Sequence, residues 1–449
     1  MSASAGSTAA PTFVSEPGGC LQGAVRVPGD KSITHRALMF GAIAEGETRI
    51  HRALRGEDCL ATEAALRQLG ADISVHDDGQ LLIVQGQGDD ALRGTTEPLD
   101  LGNSGTGMRL MAGLLVGRPF ESVLVGDSSL SKRPMERVAG PLRQMGADID
   151  TQDGCPPVTI RANAPGALRA LRYEMPMASA QVKSAVLIAG LRASGETSVV
   201  EPAITRDHTE RMLHAFGAVV RSKDGVASVQ GLDGKSLQGQ SITVPSDISS
   251  AAFFLVAASV CPRSDLLLEG VGTNPTRTGI LDALALLGAN ITRENERLVG
   301  GEPVADLRVR SASLRGARIP EHLVPLAIDE LPVLFVAAAL AEGETLITGA
   351  AELRVKESDR LAAMADGLQR LGVELELLSD GMRIRGRSTL NGGEVDSFGD
   401  HRIAMAFAVA GQRAADVVRI RDTANVATSF PDFLTLAQHC GWRVANRGA

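Results

Sequence analysis

Residues 101–109 read Leu-Gly-Asn-Ser-Gly-Thr-Gly-Met-Arg and lead into an apolar run at residues 110–116. Glycine lets the backbone approach a ligand closely, and the free N–H groups at the start of a helix favour an anion. The stretch therefore predicts either an anion site or an ordinary helix cap at Asn103 or Ser104. The rest of the chain favours the anion site, because the same kind of junction recurs six times.

A helix-ending glycine marks each of these repeats. The pattern before it is helical, as in the fifth repeat, where Leu361, Met364, Leu368 and Leu371 share one face. Glycine suits the position just after a helix, where the backbone needs a positive φ. The six glycines are Gly70, Gly146, Gly217, Gly288, Gly372 and Gly441.

Two short strand-like runs follow each glycine except the last. Asp-Gly pairs join them at 78–79, 153–154, 224–225 and 380–381, and Asp-Gly between such runs is a strong hairpin signal. The fourth repeat is expected to have a longer connection, at residues 295–306. Each unit of about 70 residues thus reads helix, strand, helix and three strands, which predicts an α/β fold of six copies.

The sixth repeat is truncated, and this predicts the domain organisation. The strand at 23–27 has no unit of its own and is expected to complete the sixth copy. Similar junctions at Pro28 and Pro245 predict two hinges. The predicted domains are residues 29–245, with repeats one to three, and residues 1–28 plus 246–449, with residues 1–16 as a disordered tail.

Composition excludes several classes of protein. The net charge of −8 argues against general nucleic-acid affinity, so any anion site must be a local cluster of basic residues. The five cysteines stand far apart, without metal or disulfide spacing, which favours a reducing cytoplasm. The longest apolar runs are too short to span a membrane, and the first 16 residues do not resemble a signal peptide.

Most polar residues with chemical potential lie at the starts of the repeated helices. The fourth repeat, at residues 247–250, offers only capping groups. If equivalent ends of the repeats face one way, the other helix starts meet in one cleft that suits multiply anionic small molecules. The basic residues of that cleft would be Lys31, Arg36, Arg133, Arg206, Lys356, Arg360 and Arg402.

Each of these residues also has a structural alternative. A lone Lys or Arg is usually a solvated surface charge, and Asp329, Glu357, His208 and His401 can serve as local caps or partners. The clustering of bases and carboxylates at one point of a repeated unit favours the cleft. The residues alone indicate an enzyme or binder of phosphorylated, carboxylated metabolites, without specifying a reaction.

Seven segments carry a resemblance to known proteins. They are Pro-Gly-Asp-Lys-Ser-Ile-Thr-His-Arg (28–36), Leu-Gly-Asn-Ser-Gly-Thr-Gly-Met-Arg (101–109), Lys-Arg-Pro-Met (132–135), Ser-Ala-Gln-Val-Lys-Ser-Ala (179–185), Arg-Val-Lys-Glu-Ser-Asp-Arg (354–360), Asp-His-Arg-Ile-Ala-Met (400–405) and Thr-Ser-Phe-Pro (428–431). Together they resemble the 5-enolpyruvylshikimate-3-phosphate synthases, the 3-phosphoshikimate 1-carboxyvinyltransferases among the enolpyruvyl transferases. The Ser-Ala-Gln segment and the loop at 127–134 are similar to the bacterial class II branch.

The resemblance implies a fold and an activity. The fold would be two similar domains, each an inside-out α/β barrel of three βαβαββ units, joined by two hinge strands. The activity would be transfer of the enolpyruvyl group of phosphoenolpyruvate to the 5-hydroxyl of shikimate 3-phosphate, in chorismate and aromatic amino-acid biosynthesis. A cytoplasmic monomer without cofactor or metal, inhibited by glyphosate, is expected.

The resemblance also implies residue roles. Asp329 would act as the base on the hydroxyl and Glu357 as the proton donor and acceptor at C3, with Lys31 and Lys356 completing the catalytic set. Shikimate 3-phosphate would be held by Lys31, Ser32, Arg36, Ser179, Ala180, Gln181, Arg206, Asp329 and Lys356. Phosphoenolpyruvate would be held by Lys31, Gly105, Arg133, Gln181, Arg360 and Arg402.

Two positions depart from the pattern of one branch of the family, and one residue is set aside. Thr428 stands where that branch has a Lys, and Glu352 stands where it has an Asn. One contact to each substrate is therefore unassigned. Arg109 lies a turn into its helix and is not expected to be a primary ligand.

Two other functions predict different residues at these positions. A UDP-N-acetylglucosamine enolpyruvyl transferase would have Lys-Asn where this chain has Lys31-Ser32, and a Cys in the loop at 127–134, which this chain lacks. A non-catalytic anion-binding protein on the same scaffold would be expected to have lost Asp329, Glu357 or the arginine set. All of these are present, which favours the enzyme.

Overall fold

The computed structural model describes residues 11–447, and within them helices and short strands alternate along the chain. The α-helices are α1 (Lys31–Ile43), α2 (Glu57–Gln68), α3 (Gly105–Leu115), α4 (Glu136–Gln144), α5 (Ala180–Gly190), α6 (His208–Ala215), α7 (Ile248–Val260), α8 (Gly279–Leu286), α9 (Leu331–Ala339), α10 (Arg360–Arg370), α11 (His401–Gly411) and α12 (Phe433–His439).

The strands are short, and most have three to eight residues. They are β1 (Thr12–Ser15), β2 (Gln22–Val25), β3 (Ala44–His51), β4 (Asp72–His76), β5 (Leu81–Gln87), β6 (Leu99–Asp100), β7 (Ser122–Val125), β8 (Ile149–Gln152), β9 (Cys155–Ile160), β10 (Arg172–Glu174), β11 (Glu196–Val200), β12 (Val220–Lys223), β13 (Val226–Gln230), β14 (Leu237–Gln238), β15 (Ser241–Thr243), β16 (Asp265–Gly272), β17 (Asn290–Val299), β18 (Glu302–Arg310), β19 (Glu344–Ile347), β20 (Glu374–Leu377), β21 (Met382–Arg385), β22 (Gly393–Asp396), β23 (Val418–Arg421) and β24 (Val444–Arg447).

Six sheets share one design, which confirms the predicted α/β fold of six repeats. Five of them begin with a parallel pair and continue with two antiparallel pairs, as in the order β6-β7-β9-β8. In the remaining sheet, β19-β21-β20, the parallel neighbour is reduced to two single bridges, Arg315 to Glu342 and Arg318 to Leu346.

The turns follow the sequence signals in most repeats. All six helix-ending glycines have positive φ, between 82° and 98°, as predicted. Asp-Gly supplies two positive φ angles in the first three hairpins, but Asp380 and Gly381 do not have them. The longer connection expected in the fourth repeat is wrong, because β17 and β18 continue to a tight turn at Gly300 and Gly301.

The N-terminal strands correct two expectations. β2 pairs in parallel with β16 and so completes the fourth sheet, not the sixth. The sixth sheet is completed by β1, which lies between β23 and β24. The expected disordered tail is therefore wrong for residues 12–15, where Phe13 is buried and stacks on Phe433 at 6.1 Å. Residues 1–10 lie outside the described residues.

The apolar side chains form two hydrophobic cores. One contains residues from 33 to 244, and we call this part the inserted lobe. The other contains residues from 13 to 27 and from 248 to 444, and we call it the terminal lobe. In each lobe three helices, α1, α3 and α5 or α7, α9 and α11, are apolar on nearly all sides and buried, and sheets and the other helices cover them.

The packing of α3 against α5 depends on a glycine. α3 crosses α5 at Gly113, where an added Cβ would lie 2.3 Å from the Ala185 carbonyl oxygen. We expect Gly113→Ala to lower the free energy of unfolding by about 1–3 kcal/mol, because the helices must separate. Gly140→Ala on α4 is the control, since its Cβ meets nothing within 4 Å; it should be neutral or stabilising. Chemical denaturation of both variants measures the difference, and equal stabilities would contradict the packing argument.

The chain crosses between the lobes twice, at the two predicted hinges. Asp30 N donates to the Pro245 carbonyl and Asp247 N donates to the Pro28 carbonyl, each at 2.8 Å, so the crossings lie side by side. Among residues 11–447, no helix is long and apolar enough to cross a membrane.

Candidate active site

The first residues of six buried helices meet in one cleft between the lobes. α1, α3 and α5 contribute from the inserted lobe, and α7, α9 and α11 contribute from the terminal lobe. Asp30, Ser104, Ser179, Asp247 and Asp400 cap five of these helices through their side chains. The cleft is lined by Lys31, Ser32, Asp58, Gly105, Thr106, Arg109, Arg133, Arg137, Gln181, Arg206, Asp247, Ser249, Arg277, Asp329, Val355, Lys356, Glu357, Arg360, His401 and Arg402.

Lys31 begins α1 and reaches across to the terminal lobe. Its Nζ lies 2.8 Å from an Asp58 carboxylate oxygen and 2.7 Å from Ser429 Oγ. Its backbone N–H donates to Asp247 at 3.2 Å. Lys31 is therefore held by groups from both lobes, at the point where the two lobes meet.

The glycine-rich turn combines a cap with an arginine clamp. Ser104 Oγ accepts from Gly107 N at 2.9 Å, so Ser104 is the helix cap. Asn103 Oδ1 accepts from Arg133 at 2.6 Å. A Cβ on Gly105 would lie 2.9 Å from Arg133 Nη1 and 3.0 Å from Arg109 Nη1. Gly105 therefore lets these two guanidinium groups lie directly against the backbone.

Asp329 lies among four cationic side chains. Arg206 approaches one carboxylate oxygen at 2.6 Å, Arg360 the other at 3.2 Å, and Lys356 lies 3.8 Å away. Arg402 donates to the Asp329 carbonyl at 3.0 Å. Burial acts to raise the pKa of Asp329, but these charges outweigh it and hold the pKa well below its ordinary value. The surrounding cations therefore favour the ionised form of Asp329.

Glu357 is clamped in a similar way. Its carboxylate accepts from Arg360 at 2.5 Å and from Arg133, in the other lobe, at 3.2 Å. Burial acts to raise the pKa of Glu357, but the charge of Arg360, followed by that of Arg133, brings it well below its ordinary value. Both predicted catalytic carboxylates thus pair with cations that were themselves predicted to bind substrate.

Two further groups of the cleft have lowered pKa values. Burial lowers the pKa of Lys356, and Asp329 and Glu352 only partly offset the effect. Burial also lowers the pKa of His401 well below its ordinary value, so its ring is neutral and its Nε2 lies 3.2 Å from Ser429 Oγ. Among residues 11–447, no group of three or more His, Cys, Asp or Glu side chains is arranged to hold a metal ion.

Three predicted residues lie away from this central cavity. Ser179 and Ala180 line an adjoining pocket, which shares Gln181 and Arg206 with the cleft. Arg36 is buried below it. Its guanidinium donates to Thr209, the Ser32 carbonyl and Ser184, at 2.7 to 2.8 Å. As placed here, Arg36 supports Ser32 and does not line the cleft.

Sequence reasoning set aside or missed several lining residues. Arg109, set aside because it lies a turn into α3, is nearly buried and donates to Gln181 Oε1 at 2.7 Å. Burial lowers the pKa of Arg109 to about 9, and the charges of Arg137 and Arg133 add to the effect. Asp58 and Arg137 lie in the first turns of α2 and α4, and only their position at those helix starts could have indicated them.

The two departures from the family pattern have clear surroundings. Thr428 donates to the Asn425 carbonyl at 2.7 Å, and its neighbour Ser429 contacts Lys31. Glu352 accepts from Arg137 of the inserted lobe at 3.0 and 3.2 Å and lies 3.6 Å from Lys356.

The enclosed cavity is small, at about 60 Å³. Carboxylates of the terminal lobe occupy the cations of the inserted lobe. A multiply anionic ligand that binds these cations must therefore displace ion pairs that join the two lobes.

Known proteins of one family are similar to this chain over nearly its whole length. The profile of one family, EPSP synthase (3-phosphoshikimate 1-carboxyvinyltransferase), matches residues 15–436. A 3-phosphoshikimate 1-carboxyvinyltransferase of Alkalilimnicola ehrlichii is 60% identical, over 96% of this chain and 95% of its own. One from Xanthomonas euvesicatoria is 57% identical, over 97% and 98%. A solved EPSP synthase structure from Acinetobacter baumannii superposes with a TM-score of 0.86 at 50% identity, covering 97% of this chain and 100% of that one.

Proposed function

Because this chain belongs to the EPSP synthase (3-phosphoshikimate 1-carboxyvinyltransferase) family, we propose that the cleft between its lobes is the active site. The chain is an enzyme of aromatic amino-acid biosynthesis. It transfers the enolpyruvyl group of phosphoenolpyruvate to the 5-hydroxyl of shikimate 3-phosphate and releases phosphate. The family fold of two inside-out α/β lobes supplies the cleft.

The two substrates divide the cations of the cleft between them. Shikimate 3-phosphate lies near α5 and Arg206, with its 5-hydroxyl at Asp329. Phosphoenolpyruvate lies near the glycine-rich turn, between Arg133 and Arg360. The support is the set of cations at buried helix starts, where N–H groups and arginine side chains both favour anions. Of the predicted binders, Arg36 acts indirectly, through Ser32.

Substrate binding activates the base. Asp329 pairs with Arg206 at 2.6 Å. When the substrate phosphate takes Arg206, the positive charge that lowers the pKa of Asp329 is neutralised, and the carboxylate becomes more basic. Asp329 then accepts the proton of the 5-hydroxyl as its oxygen forms the bond to C2 of phosphoenolpyruvate.

Glu357 acts at C3 of phosphoenolpyruvate, and its pKa also responds to substrate binding. Phosphoenolpyruvate competes for Arg133 and Arg360, and the pKa of Glu357 rises as these charges are neutralised. Glu357 can then hold a proton and give it to C3 during addition. It removes a proton from C3 when the C2–O bond to phosphate breaks and the enol ether forms. The phosphate leaves with the proton that Asp329 accepted from the hydroxyl, and the cations stabilise it as it departs.

One observation carries this proposal: two partly buried carboxylates, Asp329 and Glu357, pair with arginines that are themselves predicted to bind the substrate anions. The test is release of inorganic phosphate from the two substrates together, with each substrate omitted in turn as the control. Phosphate release that requires both substrates is the expected result. No release, or release from phosphoenolpyruvate alone, would overturn the proposal.

The remaining expectations stay proposals. We place the domain boundaries at 1–28 plus 246–449 and at 29–245, since the side-by-side crossings at Pro28 and Pro245 suit a hinge. A monomer in a reducing cytoplasm remains the expectation, the latter because the five cysteines stand apart. Gel filtration tests whether the protein is a monomer.

Glyphosate sensitivity depends on Gly105 in this proposal. An alanine Cβ there would press on Arg133 and Arg109 at about 3 Å and narrow the phosphoenolpyruvate site. We expect Gly105→Ala to raise the half-inhibitory glyphosate concentration by about 10- to 100-fold, with a smaller rise in KM for phosphoenolpyruvate. Steady-state inhibition measures both, with Gly140→Ala as the control. Unchanged inhibition would contradict the steric argument.

A further inference from the structure

We propose that Arg137 and Glu352 form a latch that holds the lobes together over the substrates, and that both are positioning residues for the transfer reaction. This inference rests on the proposed function, because it concerns closure of the same cleft. We call the two residues the latch pair.

The latch pair joins the lobes directly. Arg137 lies on α4 of the inserted lobe, and Glu352 lies in a 3₁₀ turn, Ala351–Val355, of the terminal lobe. Arg137 Nη1 lies 3.0 and 3.2 Å from the two carboxylate oxygens. The side chains are 23% and 19% exposed, so the pair is partly shielded from water and stronger than a surface ion pair.

Other ion pairs across the cleft differ from the latch pair, because they involve groups assigned to the substrates or lie at the hinge. Arg206 with Asp329 and Arg133 with Glu357 use groups assigned to the substrates, so these pairs separate when the substrates bind. Arg277 with Asp30 lies at the hinge. His208 with Glu302 is a further contact between the lobes, and it is almost fully buried. Arg137 lines the cleft and Glu352 lines its adjoining pocket, and neither has an assigned substrate contact.

The surrounding charges explain why the latch pair draws the two lobes together. Arg109, Arg133 and Arg137 cluster on the inserted lobe, and the Nε of each is buried without a hydrogen-bond partner. Glu352 faces this cluster and also lies 3.6 Å from Lys356. When the substrates occupy Arg133 and Arg206, Glu352 remains as the carboxylate that attracts the inserted lobe and fixes Lys356.

The test is a double-mutant cycle with Arg137→Gln, Glu352→Gln and the combined variant. We expect each single change to raise KM for phosphoenolpyruvate about three- to tenfold, with a smaller loss of kcat. The combined variant should be no worse than the more affected single variant, because the interaction is lost only once. The control is Arg370→Gln with Asp366→Asn, an exposed pair within α10, which should change neither constant.

A second measurement is independent of turnover. Small-angle X-ray scattering, with and without both substrates, reports the fraction of molecules with closed lobes, and latch variants should have a larger radius of gyration. Additive effects on KM, or equal radii for parent and variants, would overturn the latch. If the parent releases no phosphate, the proposed function fails, whereas the scattering of the unliganded protein still decides the latch.

Discussion

Glu357→Gln is expected to lower kcat by about 10³-fold, within the range of general acid–base catalysis and equivalent to about 4 kcal/mol of barrier. Glutamine keeps the shape, but it cannot carry a proton to C3. Its one amide oxygen can accept from only one of the two arginines, because Arg360 and Arg133 bond to different oxygens of Glu357. KM for phosphoenolpyruvate should stay the same or fall, because the two arginines no longer have a competing carboxylate.

Hydrogen exchange separates this role from a structural one. In D₂O the parent should place deuterium at C3 of unreacted phosphoenolpyruvate, since addition and its reversal pass through a methyl group. Glu357→Gln should lose this exchange together with turnover. Glu376→Gln, an exposed carboxylate on β20, is the control. Exchange at the parental rate in Glu357→Gln would remove Glu357 from the proton transfer.

Asp329→Asn should lower kcat by about 10²- to 10⁴-fold. The asparagine cannot accept the hydroxyl proton, and Arg206, Lys356 and Arg360 lose the anion that they share in the unliganded cleft. Shikimate 3-phosphate should therefore bind as tightly as before or more tightly, while turnover falls. Calorimetric titration of shikimate 3-phosphate, combined with kcat from phosphate release, measures the two effects separately.

Asp366→Asn, in the exposed pair on α10, is the matched change of one oxygen to nitrogen, and it should leave both quantities unaltered. Weaker binding together with lower kcat in Asp329→Asn would indicate collapse of the cation cluster. Parental kcat would exclude Asp329 as the base.

Patterns within short stretches of sequence predicted the repeats, but they did not predict which strands pair across long distances in the chain. The positive φ of a glycine after a helix depends only on the local backbone, and it was predicted correctly for all six glycines. β1 and β2 have four residues each, which is too short for a period to identify a partner. Which sheet each joins depends on residues more than 200 positions away, so β2 was assigned to the wrong sheet and β1 was not recognised.

The site was predictable where residues lie at helix starts, and less so elsewhere. Lys31, Gly105 and Gln181 lie in the first turns of buried helices, and the repeat placed them together. Arg109 was set aside because the length of its side chain, which reaches back to Gln181, does not show in sequence spacing. Glu352 could be named only as a departure, since its partner Arg137 lies in the other lobe.

The first strands of the chain are also the ones that wait longest for partners. β1 leaves the ribosome before its partners β23 and β24, which follow roughly 20–90 s later at about 5–20 residues per second. The inserted lobe is continuous from residue 33 to 244 and can fold meanwhile. During translation, the inserted lobe can therefore fold before the terminal lobe is complete, and Phe13 and Val14 stay exposed until β23 and β24 emerge.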